Sequence, residues 1–116
     1  MDKDRPIEEV CTLLKSLLKD DTNQIIFCTG RVEDYREKTI EQIKKILNGS
    51  KNIDIDGCLY MRPQGDFRKD FMVKRDLYKR MIFDGFDPVI VFEDKITVVE
   101  MWKEMGLKCL RVTGAQ

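Results

Sequence analysis

A chain of 116 residues makes one domain, with room for one core and not for two. Its 21 lysines and arginines balance 21 aspartates and glutamates, so no overall charge draws it to nucleic acid or membrane; either contact must come from local placement of basic groups. Histidine is absent, which excludes histidine acid–base chemistry and most zinc sites.

Along the chain, Asp4 and Pro6 open a helix whose apolar residues Val10, Leu13, Leu14, Leu17 and Leu18 follow helical spacing. "QIIFCTG" (24–30) is a short, continuously apolar strand stopped by glycine. A second helix runs from about Glu33 to Leu47, with Tyr35, Ile40, Ile43 and Leu47 inward and Asn48-Gly49 at its end. "GCLYMR" (57–62) is the next strand and "PQGDF" a loop. A helix follows from about Arg68 to Ile82, with Val73, Leu77 and Met81 on one face. "PVIVFE" is a third strand, residues 95–105 a helix, and "LKCLRVT" (107–113) a fourth strand. No internal repeat, linker or low-complexity segment interrupts the alternation.

Strands that are apolar throughout, alternating with helices, predict an α/β fold: one parallel sheet of four strands with helices on both faces. Cys11, Cys28, Cys58 and Cys109 show no CxxC spacing and read as buried free thiols in a reducing cytosol. No leader or membrane-length apolar run is evident, so a soluble, cytoplasmic protein is expected.

In open parallel sheets ligands bind beyond the carboxyl ends of the strands. There the first strand presents Thr29, Gly30 and Arg31. The second presents Arg62, then Asp66, Arg68, Lys69 and Asp70; the third presents Glu93, Asp94 and Lys95. Hydroxyl, guanidinium, ammonium and carboxylate on one edge suit a phosphate and a hard cation. Two adjacent acids at the tip of an apolar strand are costly unless a positive group stands beside them, and magnesium is the first candidate.

"IIFCTGR", "LYMRPQGDFRKDFMVKRDLY" and "VIVFEDKITVVEMWKEMGLKCLRV" together resemble the phosphatase domain of phage-type polynucleotide kinase-phosphatases, in the haloacid dehalogenase (HAD) superfamily. The resemblance covers nearly the whole chain; TGR alone is weak, but RPxGDxRKDxxVK followed by an acid pair and VVxMWxxxG is specific. It implies a three-layer HAD-like fold and a magnesium-dependent phosphomonoesterase acting on 3′-phosphate ends of DNA or RNA. In that family an aspartate attacks phosphorus, while a second aspartate two residues on handles the leaving-group proton. Magnesium and a lysine neutralise charge on the phosphoryl group.

By resemblance, Thr29 binds phosphoryl oxygens through its hydroxyl, aided by the Gly30 amide, and Arg31 positions substrate or braces the loop. Asp70 and Lys74 match the acid and lysine of the third motif, and Arg62 and Arg68 are candidate substrate contacts. Glu93 and Asp94 match the metal-binding acid pair, where relatives usually carry two aspartates. A glutamate, one methylene longer, suits contact with magnesium through water.

The family's nucleophile motif, an apolar strand ending DxDGT, is not visible. Asp2 and Asp4 have DxD spacing, but no strand precedes them and no Gly-Thr follows. The expectation is that the nucleophile lies upstream of this chain. In the implied sheet order its strand is central, between the strands at 24–29 and 89–93. Without it those strands pair directly, or a second copy, a partner or an upstream segment fills the gap. A filled gap is expected, so the isolated chain should self-associate or fold poorly.

Plainer readings stand beside these. Thr29-Gly30 suits a strand-ending turn, Arg62 and Arg68 solvated loop charges, and Glu93-Asp94 a helix cap. Asp70 and Lys74, one turn apart, suit a helical ion pair. Trp102, Met101 and Met105 suit the core; Phe67 and Phe71 suit a core edge or a stacking surface for a base. Three functions follow: end-healing 3′-phosphatase, non-catalytic phosphate- and metal-binding remnant or subunit, and small-molecule phosphatase or nucleotidase. The implied partners are 3′-phosphorylated nucleic-acid ends, a kinase domain or upstream segment supplying the strand, and another copy of the chain.

Overall fold

Parallel pairing organises the chain as two strand pairs. In a computed structural model that describes residues 8–20, 22–47 and 54–112, β1 (Phe27–Val32) runs parallel to β2 (Leu59–Arg62) and β3 (Ile90–Glu93) parallel to β4 (Lys108–Arg111). Helix α1 (Glu8–Leu18) precedes β1, and α2 (Arg36–Ile46) joins β1 to β2 after a 3-10 turn at Glu33–Tyr35. Helix α3 (Asp70–Phe83) joins β2 to β3, and α4 (Ile96–Glu104) joins β3 to β4. Parallel neighbours need such crossovers, because a tight turn can join only antiparallel strands.

Side-chain alternation divides the β1–β2 pair between two cores. Phe27, Leu59 and Met61 face one side and pack with Leu18 of α1, Ile43 and Leu47 at the end of α2, and Ile55. Cys28 and Tyr60 face the other side and meet Val73, Leu77 and Met81 of α3. The expected α3 stripe of Val73, Leu77 and Met81 is therefore the buried one. This pair is covered on both faces.

The β3–β4 pair differs. Val91 and Cys109 pack under α4 with Val98, Val99, Met101 and Trp102. On the opposite face Ile90 and Leu110 remain half exposed, at 51% and 56%. Helices on both faces thus hold for one pair and not for the other.

The expected single four-stranded sheet is also corrected: among the described residues β1 and β3 form no ladder, and each sheet has two strands. A cavity of about 590 Å³ lies between the pairs, lined by Ile26 and Cys28 on one side, Val91 and Glu93 on the other, and Tyr78 and Trp102. Among the described residues, no strand pairs with the inner edge of β1 or of β3.

Element boundaries shift from the sequence reading for physical reasons. Residues 24–26 lie outside any strand, while β1 continues through Gly30 and Arg31 to Val32. Thr29 pairs with Met61 and Val32 with Arg62, so Gly30 and Arg31 form a bulge inside the strand and not a turn after it. Tyr35, expected inward, is 50% exposed in the 3-10 turn, because that turn places it outside the α2 register. The proposed start of the first helix, the Asn48-Gly49 stop and Thr113 lie outside the described residues. Cys58 and Cys109 are buried and Cys28 half-buried, all three as free thiols; the side chain of Cys11 is outside the description.

Candidate active site

The carboxyl ends of β1, β2 and β3 meet the amino end of α3. Arg62, the last residue of β2, is the hinge of this arrangement. Its Nε donates to the Gly30 carbonyl at 2.8 Å, Nη1 donates to the carbonyls of Asp66 at 3.0 Å and Arg68 at 2.5 Å, and Nη2 donates to Asp70. Its side chain is only 12% exposed, so it is not a solvated loop charge.

Asp70, the first residue of α3, shares its two oxygens between Arg62 and Lys95. The Lys95 hydrogen bond, opposed by desolvation and seconded by Arg62, holds its carboxyl below the usual carboxylate range. Asp70 also explains Gly30: a Cβ there would stand 2.7 Å from Asp70 Oδ1. The glycine is required for close approach of strand and carboxylate.

One turn along α3, Lys74 is buried and reaches Glu93, with Nζ 3.1 Å from Oε1 and 3.5 Å from Oε2. The Asp70–Lys74 helical pair is thereby corrected: each residue pairs across elements. Glu93 is 8% exposed and accepts further bonds from Trp102 Nε1 at 3.4 Å and from the amides of Asp94 and Lys95 at 3.2 and 3.4 Å. The positive group beside the acid pair is thus Lys74. Asp94, by contrast, is exposed, its backbone held through its amide on Glu93 and its carbonyl, which accepts from Arg111 Nε at 3.2 Å. The N-cap residue of α4 is Lys95, whose own side chain makes no capping bond, while Glu93 takes up the amides of Asp94 and Lys95 just before the helix.

This geometry tests the magnesium expectation. Magnesium binds through one or two carboxylates plus phosphate and water oxygens. Asp94 fits that requirement. Glu93 does not, since both its oxygens are taken by donors, and among the described residues no three acidic or thiol groups gather into a metal cluster. Cys28, beside Lys74 and Glu93, is pushed up to about 12 by burial, so it stays a thiol at neutral pH and is no nucleophile.

The remaining expected residues lie at the margin. Thr29 is half-buried, its Oγ1 accepting from the Arg31 amide at 3.2 Å. Arg31 turns toward α2, donating to Gln42 Oε1 at 2.6 Å with its guanidinium 5.8 Å from the Tyr35 ring centroid. Arg68 is bound by Asp66 and by Asp76, 2.8 Å from each. Met101 and Trp102 are core, and Met105 packs against it half-buried; Trp102 also serves the site through its indole N–H. Asp2 and Asp4 lie outside the described residues. Sequence reasoning placed Lys95 on this edge without giving it a partner, and it missed Trp102 as a site residue. Lys95 was visible as the cation following the acid pair, whereas nothing in an apolar helix pattern marks an indole N–H as a donor to a strand end.

Residues 1–116 match the family described as the polynucleotide kinase PNKP phosphatase domain, of HAD type. A protein of Autographa californica nuclear polyhedrosis virus, named as a bifunctional polynucleotide kinase/RNA ligase, is 31% identical over 100 residues. That match covers 85% of this chain and 14% of the viral protein's length.

Proposed function

The chain belongs to the family of the polynucleotide kinase PNKP phosphatase domain, and on that premise we propose that it serves the removal of 3′-phosphates from DNA or RNA ends. The observation that carries this reading is the cluster at the strand ends: Arg62, Lys74 and Lys95 surround Asp70 and Glu93, with Thr29 and Gly30 alongside. An entering phosphoryl group finds three cations there, of which Lys95, at 59% exposure, is the one able to leave Asp70 for a phosphate oxygen. Lys74 stays fixed by Glu93 as a buried positive charge. Magnesium, when bound, neutralises charge on the transferring phosphoryl, and Asp94 is the residue that supplies a carboxylate to it.

The nucleophile is a separate matter. Asp70 and Glu93 are both committed to cations and Cys28 is a thiol, so none of them attacks phosphorus. The cavity between β1 and β3 is where a further strand, carrying the attacking carboxylate, completes the sheet. An upstream segment, an attached kinase-bearing polypeptide or another copy of the chain could supply it, in a reducing cytoplasm that keeps the thiols free. The paired state of Asp70 and Glu93 also favours a second reading, a chain that keeps the pocket for binding alone.

A decisive test joins the chain to a segment ending in an apolar strand and DxDGT. It should release phosphate from a 3′-phosphorylated oligonucleotide with magnesium, and not from the 5′-phosphorylated one. Equal hydrolysis of both ends, or preference for free nucleotides, would contradict end specificity. Folded, inactive material that still binds the 3′-phosphorylated end would support the second reading.

A further inference from the structure

Phe67 is 94% exposed, against 81% for Phe83 and 70% for Val89, the next most exposed large apolar residues described. An aromatic ring left in water forgoes a substantial burial gain, so its placement needs a cause. Slack in the loop is not that cause. The Asp66 amide donates to the Pro63 carbonyl at 3.2 Å, and Gly65 takes the positive φ of 82° that the turn requires. The Asp66 carboxylate accepts from the Arg68 amide at 3.1 Å and from its guanidinium. Arg62 Nη1 binds the carbonyls on both sides of Phe67, those of Asp66 and Arg68. The backbone is therefore fixed on each flank while the ring stands outward.

The same guanidinium that grips this loop holds the Gly30 carbonyl and the Asp70 carboxylate. The ring is thus pinned to the rim of the phosphate cluster through one side chain. Exposed Lys69, two residues on, is a cation suited to a phosphodiester backbone, whereas Arg68 is held by Asp66 and Asp76. Phe71, by contrast, packs into the α4 core with Arg75 over its ring at 5.9 Å, and cannot share the role.

We propose that Phe67 is a stacking platform for a nucleobase next to the bound phosphate, making it the residue that separates nucleic-acid ends from small phosphate esters. This rests on the nucleic-acid reading above and specifies it: stacking on an aromatic face tolerates any base, so the preference is for a polynucleotide end of any sequence.

The test measures binding of a single-stranded, 3′-phosphorylated oligonucleotide by fluorescence anisotropy, and of inorganic phosphate by amide NMR shifts. Phe67→Ala should weaken oligonucleotide binding by about tenfold, the lower range for loss of one stacked base, and leave inorganic phosphate binding unchanged. Phe67→Trp should restore it, with indole fluorescence quenched on binding; Phe67→Leu should not. The ring touches no core, so circular dichroism should be unchanged in all three. Oligonucleotide affinity within twofold of wild type in Phe67→Ala would overturn the platform while leaving the nucleic-acid reading standing. Wild-type chain that binds inorganic phosphate and no oligonucleotide would overturn both. Loss of self-association in Phe67→Ala, with oligonucleotide binding intact, would instead assign the ring to a protein contact and overturn the inference.

Discussion

Glu93 and Asp94 are adjacent acids with opposite surroundings. Glu93 is buried, with Lys74, Trp102 and two amides on its oxygens, while Asp94 faces water. Glu93→Ala would leave the Lys74 ammonium buried without its partner, and breaking a buried pair costs about 3–5 kcal/mol. Asp94→Ala should change stability by less than about 0.5 kcal/mol while abolishing magnesium-induced shifts of nearby amides. Urea denaturation of both variants, with magnesium titration of the second, checks this; equal destabilisation would refute the division of labour. Gly30→Ala brings a methyl against Asp70, whose carboxylate is held by Arg62 and Lys95 and cannot easily yield. The expected cost is about 1–3 kcal/mol, and it should largely vanish in an Asp70→Ala background, a non-additivity that a double-mutant cycle would reveal. Asp70 also makes stability depend on pH. Its folded pKa lies below its unfolded value, so its contribution is complete above about pH 4 and is lost as pH falls toward the folded value. Lys95→Met, which removes the chief cause, should flatten the acid limb of melting temperature against pH relative to wild type.

Among the elements, the two strand pairs should differ in protection. Helices and their apolar faces enclose β1–β2 on both sides, whereas β3–β4 carries Ile90 and Leu110 half exposed on its outer face. Amide exchange should therefore be slower at residues 27–29 and 59–61 than at 90–92 and 108–110; the reverse order would contradict the packing described. The helices and strands were legible in the sequence because apolar spacing records which side of an element is buried, as Val73, Leu77 and Met81 show. The β1 bulge was not legible: "CTGR" reads as a strand followed by a glycine turn, and only the approach of Asp70 from α3 shows why Gly30 lies within the strand. Lys74 was legible as a candidate and not in its partner, since the helical neighbour Asp70 and the distant Glu93 are equally acidic on paper. Tertiary placement chose Glu93. Whether Phe67 formed a core edge or an outward ring stayed open for a similar reason, because it depends on how the Arg62 guanidinium distributes its donors.

For the whole molecule, the open slot between β1 and β3 governs behaviour. Two strand edges without a partner among the described residues expose backbone groups, each costing on the order of 1–3 kcal/mol when buried and unpaired, and invite pairing with another strand. Purified chain should sediment as an oligomer whose association weakens when a strand-bearing segment is supplied; a monomer with residues 26–28 and 90–92 strongly protected would show the slot closed without help. Arg62, Lys74 and Lys95 occupy Asp70 and Glu93 at the strand ends, so the proposed reaction needs an attacking carboxylate from outside this cluster. The most direct measurement is phosphate release from a 3′-phosphorylated oligonucleotide by the 116-residue chain alone, with magnesium present. No release above the uncatalysed background is expected. Robust turnover that disappears in Asp2→Asn or Asp4→Asn would contradict it, placing the nucleophile at the start of this chain.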